Sequence, residues 1–187
     1  MGLFLIDIIE HESSGYGPRT KYNASVADVT LALAFDPGTH GEKLTKKYAA
    51  SKYIGFQLSD DLVLGDIVKH LYGFMIKKKA RTLNIAGNGI FTATKFGSTQ
   101  RKLNLFVYRI LEKLNSNYPI QRIYTGGQTG VDLAGGIAGH YLGIDTIMTL
   151  PKGFKQRFED GKDIFQNQKD IVLQVGQWIN ILKGDMA

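Results

Sequence analysis

Three glycine turns and one arginine carry the residue types that can do chemistry in this chain. Gly126-Gly127-Gln128-Thr129-Gly130-Val131-Asp132 stands between a β-forming run, Ile123-Tyr124-Thr125, and a helix-forming one. The paired glycines remove the side chains that would keep a ligand off the backbone, and Thr129 is a candidate helix cap. A helix start offers unpaired N–H groups at the positive end of its dipole, so a phosphate or carboxylate over Gln128 to Val131 would be held by geometry and field together. The competing reading is a glycine turn without a ligand, since short glycine motifs are weak evidence by themselves. Asp132 falls in the first helical turn, where it serves either as an acid stabilised by the dipole or as a contact to a ribose hydroxyl. Gly38-Thr39-His40-Gly41-Glu42 and Gly87-Asn88-Gly89 are the other two turns. Arg19 supplies a guanidinium suited to a second phosphate or carboxylate, or to a salt bridge within the protein. Glu42 reads as a helix cap, and His40 as a proton donor or a surface residue.

Other chemistries are not spelled in the chain. It has no cysteine, which removes disulfides, thiolate nucleophiles and zinc-cysteine sites and fits a reducing compartment, with the cytoplasm as the expected location. No histidine pair stands with carboxylates at metal-ligand spacing, and no Gly-x-Ser-x-Gly elbow is present, so neither a metal nor a cofactor is expected. No apolar run approaches the length that spans a bilayer, and the short N-terminal run Met1 to Ile6 leads straight into Asp7 rather than reading as a secretory signal. The net charge of +6 is concentrated at Lys77-Lys78-Lys79 and Arg81. Such a cluster reads first as a helix end complementing its own dipole, then as a nucleic-acid contact, then as steering for a phosphorylated ligand. Basic and aromatic residues are not interleaved along any element, and nucleic acid is not an expected partner.

The elements that must position these turns alternate. Strands are predicted at residues 3–9, 28–35, 52–58, 82–86, 121–125 and 145–150, the second as a continuous apolar run typical of a buried parallel strand. Helices are predicted at 19–27, from about 42 to 48, at 62–76, 100–114, from about 129 to 142, and at 166–182, with 10–18 and 152–162 as loops. The inward stripes are Leu62, Ile67, Val68 and Leu71; Leu103, Phe106, Val107, Ile110 and Leu114; and Ile171, Val172, Val175, Trp178, Ile179 and Leu182. Strand–helix alternation means an α/β fold, a doubly wound parallel sheet covered on both faces, with ligands at the carboxyl ends of the strands where their order reverses. The strand at 82–86 is expected beside that at 29–34. The 187 residues form one expected domain with no linker. Gly135, Gly136 and Gly139 leave one face of the main helix bare, for close packing on the sheet or on a second subunit. With the apolar last helix, this makes a two-fold homo-oligomer the expected assembly.

Tyr124-Thr-Gly-Gly-Gln-Thr-Gly-Val-Asp132 resembles the Ser-Gly-Gly-Gln-Thr-Gly-Ala-Asp signature of the molybdenum-carrier family, and Leu150-Pro-Lys-Gly153 resembles the Pro-Lys-Gly that follows it there. That family belongs to the Rossmann-like, SLOG-type set that includes the Lonely Guy phosphoribohydrolases. Tyr16-Gly-Pro-Arg-Thr-Lys-Tyr-Asn-Ala-Ser-Val-Ala-Asp-Val-Thr-Leu31 is similar to a segment the family places after the signature, whereas here it comes first. The resemblance therefore implies a circular permutation, with residues 1–80 matching the family's C-terminal half and 81–187 its N-terminal half, or two chains exchanging halves. It is shared with phage proteins.

The resemblance implies a pocket around Arg19, Gly38, Thr39 and Gly126 to Asp132. Glu42 falls at the end of a Gly-Thr-x-x-Glu pattern whose glutamate works at nucleotide N-glycosidic bonds in the phosphoribohydrolases. Asp36-Pro37 replaces that motif's paired glycines. The first expected function is binding of a nucleotide-derived, phosphate-containing molecule, of the ADP-ribose or cyclic-nucleotide signal type, as a sensor or a sequestering protein. The second is N-glycosidase action on a nucleoside monophosphate through Glu42. Molybdenum binding would rest on the family's name alone.

Overall fold

The computed structural model describes residues 6–187; the part of the first predicted strand at residues 3–5 lies outside them. Six strands form one parallel sheet: β1 (Ile6–Glu10), β2 (Val29–Ala34), β3 (Tyr53–Gln57), β4 (Thr82–Gly87), β5 (Arg122–Thr125) and β6 (Asp145–Leu150). Their spatial order is β1-β6-β5-β4-β2-β3. β2 pairs with β4 in the register Val29↔Leu83 to Leu33↔Gly87, the adjacency expected from the sequence. Every residue of β2 is buried, as an apolar run with β-branched members requires of a central parallel strand.

Counted from β4, the strands β5, β6 and β1 step outward in one direction, and β2 and β3 in the other. That is the doubly wound pattern with its start moved to the middle of the chain. The reversal falls between β4 and β2, and this is the switch point at which an open α/β sheet leaves a crevice.

The helices are α1 (Tyr16–Val26), α2 (His40–Ala49), α3 (Leu64–Lys78), α4 (Ile90–Ala93), α5 (Gln100–Asn117), α6 (Val131–Tyr141) and α7 (Gln168–Met186). α1 packs on α2 in one layer, while α3, α5, α6 and α7 contact one another in the other. α6 lies directly on the sheet. A Cβ at Gly135 would come within 2.7 Å of Ile85, one at Gly136 within 2.1 Å of Met148, and one at Gly139 within 2.4 Å of Thr146. The bare face is thus packed on the protein's own sheet, the first of its two expected uses, and it does not argue for a dimer.

Other differences have local causes. α1 begins at Tyr16, three residues before the predicted start, with Pro18 in its first turn, where a missing N–H costs nothing. The predicted loop 152–162 contains part of a small antiparallel hairpin, β7 (Gln156–Arg157) with β8 (Asp163–Ile164), too short to show a period. The turn after β4 carries α4 and a 3-10 turn, Thr94–Phe96, also absent from the expectation. Val172 is exposed, and Val68, Phe106 and Trp178 are half-buried at the margins of their stripes. Lys77 and Lys78 sit in the last turn of α3, with Lys79 in the left-handed conformation capping it, so they complement the helix dipole. Among the described residues no helix is long and apolar enough to cross a membrane.

Candidate functional site

The turn after β5 is closed by the protein itself. Arg19, carried by α1, places Nη1 2.7 Å from Oδ2 of Asp132 in the first turn of α6, and both residues are buried. The pair lies over Gly126, whose Cβ would fall 1.5 Å from that Nη1 and 2.3 Å from the Asp132 oxygen. Gly127 has φ +64°, and a Cβ there would meet Met148 and Leu150 at under 3 Å. These two glycines make room for an ion pair and for core side chains.

Of the N–H groups expected to cradle a phosphate, those of Gly130 and Val131 have protein acceptors. Gly130 N donates to Oε1 of Gln100 at 2.6 Å, Val131 N to the Asn88 carbonyl at 3.2 Å and Leu133 N to the Gln128 carbonyl at 2.8 Å. Thr129 does not cap α6, because Gly130 holds that position and the Thr129 hydroxyl donates to the Arg157 carbonyl. Gly126, Gly127, Thr129 and Gly130 are buried.

The turn after β4 clamps the turn after β2. Asn88 Oδ1 accepts from Asp36 N at 2.8 Å, and its Nδ2 donates to the Asp36 carbonyl at 3.1 Å. A Cβ at Gly87 would stand 2.1 Å from the Leu33 carbonyl, which forces glycine where β4 passes β2. Gly89 bridges to Gly130, joining the turns after β4 and β5. Gly38 N donates to Oδ1 of Asp36 at 2.8 Å, an Asx turn that shapes the approach to α2. Thr39 is the α2 cap, its hydroxyl accepting from Glu42 N.

A cleft of about 750 Å³ opens at the switch point. Of the expected site residues it is lined by Arg19, Thr39, Glu42, Gly87, Asn88 and Gly89, with Gln128 and Asp132 at its β5 side. Gly38, Gly126, Gly127, Thr129 and Gly130 are not among its lining residues. Glu42 is 3% exposed, and no described residue is hydrogen-bonded to its Oε2. Burial, with the Asp132 and Asp36 charges added, pushes its carboxyl up to about 8, so Glu42 carries a proton at neutral pH. Burial also raises the Asp132 carboxyl, while the Arg19 guanidinium and the Gly87 amide pull it back.

Sequence reasoning missed Asn23, Lys95 and Arg157. Asn23, one turn after Arg19 on α1, is 2% exposed, and neither its Oδ1 nor its Nδ2 has a partner. Arg19 Nε is likewise unpaired. The i, i+4 spacing of Arg19 and Asn23 was visible and would have placed them on one helix face. Lys95 lines the mouth 4.0 Å from the centre of the Phe91 ring. Arg157 arrives on the hairpin and is held by Asp163 at 2.8 Å, which also accepts from the Tyr16 hydroxyl. His40 is an exposed residue at the rim. Among the described residues no group of three or more His, Asp or Glu side chains is arranged to hold a metal ion.

The model of the circularly permutated YpsA SLOG family matches residues 5–106, more than half of the chain. The match covers α1, the turns after β2 and β4, and the start of α5, and it stops before Gly126. No curated protein matches the chain.

Proposed function

The chain belongs to the circularly permutated YpsA SLOG family, and on that premise we propose that the cleft at the β4–β2 switch point binds a nucleotide-derived, phosphate-containing small molecule, which the protein senses or sequesters. One observation carries the reading: Arg19, Asn23 and Glu42 line a single cleft, and Arg19 Nε, both polar atoms of Asn23 and Glu42 Oε2 are buried and unpaired. A buried polar atom without a partner costs about 1–3 kcal/mol, and a hydroxyl-rich ligand such as a ribose would relieve several at once. Lys95 and Arg157 at the mouth supply positive charge for phosphate. ADP-ribose and cyclic-nucleotide signals have this layout, polar sugar and charged phosphate.

A second reading, N-glycosidase action, is favoured by Glu42. A carboxyl that holds its proton at pH 7 can deliver it to a departing base. Hydrolysis also needs a group to activate water, and the other carboxylate on the cleft lining, Asp132, is engaged by Arg19. Binding without turnover is therefore the better supported.

Calorimetric titration with AMP, ADP-ribose and a cyclic dinucleotide tests both. Lys95→Ala should weaken phosphate-bearing ligands by on the order of 2 kcal/mol, or about thirty-fold, and Asn23→Ala should weaken them without changing the salt dependence. Lys78→Ala serves as the control on a distant cationic helix end. No binding by wild type, or equal binding by wild type and both cleft variants, would defeat the reading. Release of free base by wild type and not by Glu42→Gln would replace it with the second. The expected dimer is supported by Leu173 and Ile181, exposed on α7, and sedimentation at micromolar concentration would check it.

A further inference from the structure

A second cavity, about 530 Å³, opens at the carboxyl end of the same sheet in the other helical layer, against α5. It is walled by Phe35 at the end of β2, Phe96 on the 3-10 turn, and Phe106 and Leu103 of α5, with Leu58 and Leu62 from the segment after β3. The rings of Phe35 and Phe96 lie nearly parallel, 16° apart with centres separated by 5.5 Å. Phe96 is 54% exposed, so one phenyl surface is left open to the cavity mouth. Polar groups stand around this apolar floor: Gln57 and Asp60 on the β3 side, Ser98 and Lys102 on the α5 side. None of them belongs to the cleft described above.

We propose that this cavity is a second binding site, and that its ligand is a nucleobase, taken as a nucleoside. A flat heteroaromatic ring matches each part of the lining. Its faces stack on phenyl rings, and its edge presents both donors and acceptors. The Asp60 carboxylate accepts from an exocyclic amino group, the Lys102 ammonium donates to a ring nitrogen or carbonyl, and the Gln57 amide does either. The volume lies within the range of small-molecule pockets and exceeds what a simple side-chain packing defect leaves. Lys102 Nζ donates to the Gly97 carbonyl at 3.1 Å and Gln57 Nε2 to the Phe35 carbonyl at 3.4 Å, and each keeps a further proton for a base edge. An aliphatic ligand would fill the floor but leave the Asp60 and Ser98 side chains without use, and a sugar phosphate would waste the phenyl surface. Consecutive residues divide the two cavities, Lys95 lining the cleft and Phe96 the pocket, so two ligands can be held on either side of a single turn. The proposal stands independently of what occupies the cleft.

The four ribonucleosides, which carry a base and no phosphate, are titrated into the full-length protein and followed by ligand-observed NMR, with ribose 5-phosphate in parallel. At least one nucleoside is expected to bind wild type, and Phe96→Ala, an exposed position that leaves the core intact, should weaken it about tenfold or more. Leu62→Trp, which fills the cavity, should abolish it. Asp60→Asn should change the order of preference among the bases, and Asn23→Ala should leave nucleoside binding unchanged. Ribose 5-phosphate reports on the cleft, so its failure to bind wild type would count against the cleft reading and not against the pocket. Absence of binding by all four nucleosides, or equal binding by wild type, Phe96→Ala and Leu62→Trp, would overturn the proposal.

Discussion

The turns after β5 and after β2 share a pattern: glycines, a threonine, and an acid in the first turn of the next helix. In the first, Asp132 is held by Arg19 at 2.7 Å, and the amides around it are bonded to Gln100 and to the Asn88 and Gln128 carbonyls. In the second, Glu42 is as deeply buried and has no partner for Oε2. A turn whose acid and helix-start amides are engaged holds the fold together, whereas one that leaves a buried carboxyl open has an interaction to offer a ligand. The motif that looked most like a binding site has its acid held by an arginine of its own chain.

That contrast can be broken by substitution. Asp132→Ala should destabilise the protein by about 3–5 kcal/mol, because it leaves the Arg19 charge buried and uncompensated. Chemical denaturation measures it, and a loss below about 1 kcal/mol would mean that the ion pair is dispensable. Glu42 should behave oppositely. Its carboxyl rises from 4.5 to about 8 on folding, so between those values the unfolded chain releases a proton that the native state keeps. Stability therefore falls as pH rises from about 4.5 to 8 and levels off above, by as much as about 5 kcal/mol for this one group. Glu42→Gln should flatten that slope and be the more stable protein at pH 8 in paired urea titrations. An unchanged slope would place Glu42 in contact with water.

The glycines offer the smallest and cleanest comparison. Gly126→Ala drives a methyl into Arg19 and should cost about 1–3 kcal/mol. Gly41→Ala, in the first turn of α2 with nothing within 4 Å of its Cβ, should be neutral or stabilising by about 0.5–1 kcal/mol. Equal thermal shifts for the two would remove the distinction between the turns.

Much of the sheet could be read from the chain. Apolar runs, three of them ending in glycine turns, marked five strands to within two residues, and the position of Arg19 ahead of the Gly126 turn marked the permuted order. The role of each glycine could not be read, because glycine reports that something needs the space and not whether it is a ligand, an arginine 107 positions earlier or a methionine of the next strand. Gly135, Gly136 and Gly139 left a choice open between the sheet and a second subunit, and the sheet fills the space. The hairpin that brings Arg157 to the cleft has two-residue strands, below any detectable period. Asn23 was passed over because an asparagine in a helix is ordinarily a solvent residue; only its burial without a partner marks it.

The position of β1 has a kinetic consequence. Its register with β6, Ile6↔Thr146 to Glu10↔Leu150, joins residues about 140 apart in sequence, while in an order counted from β4 the same two strands would be consecutive. Closing so long a loop is entropically slow, and an edge strand contributes only one ladder of hydrogen bonds when it arrives. β1 should therefore dock late in folding and open first from the native state. Its amides are expected to exchange with solvent deuterium by local opening, ahead of the global unfolding that governs β2 and β4.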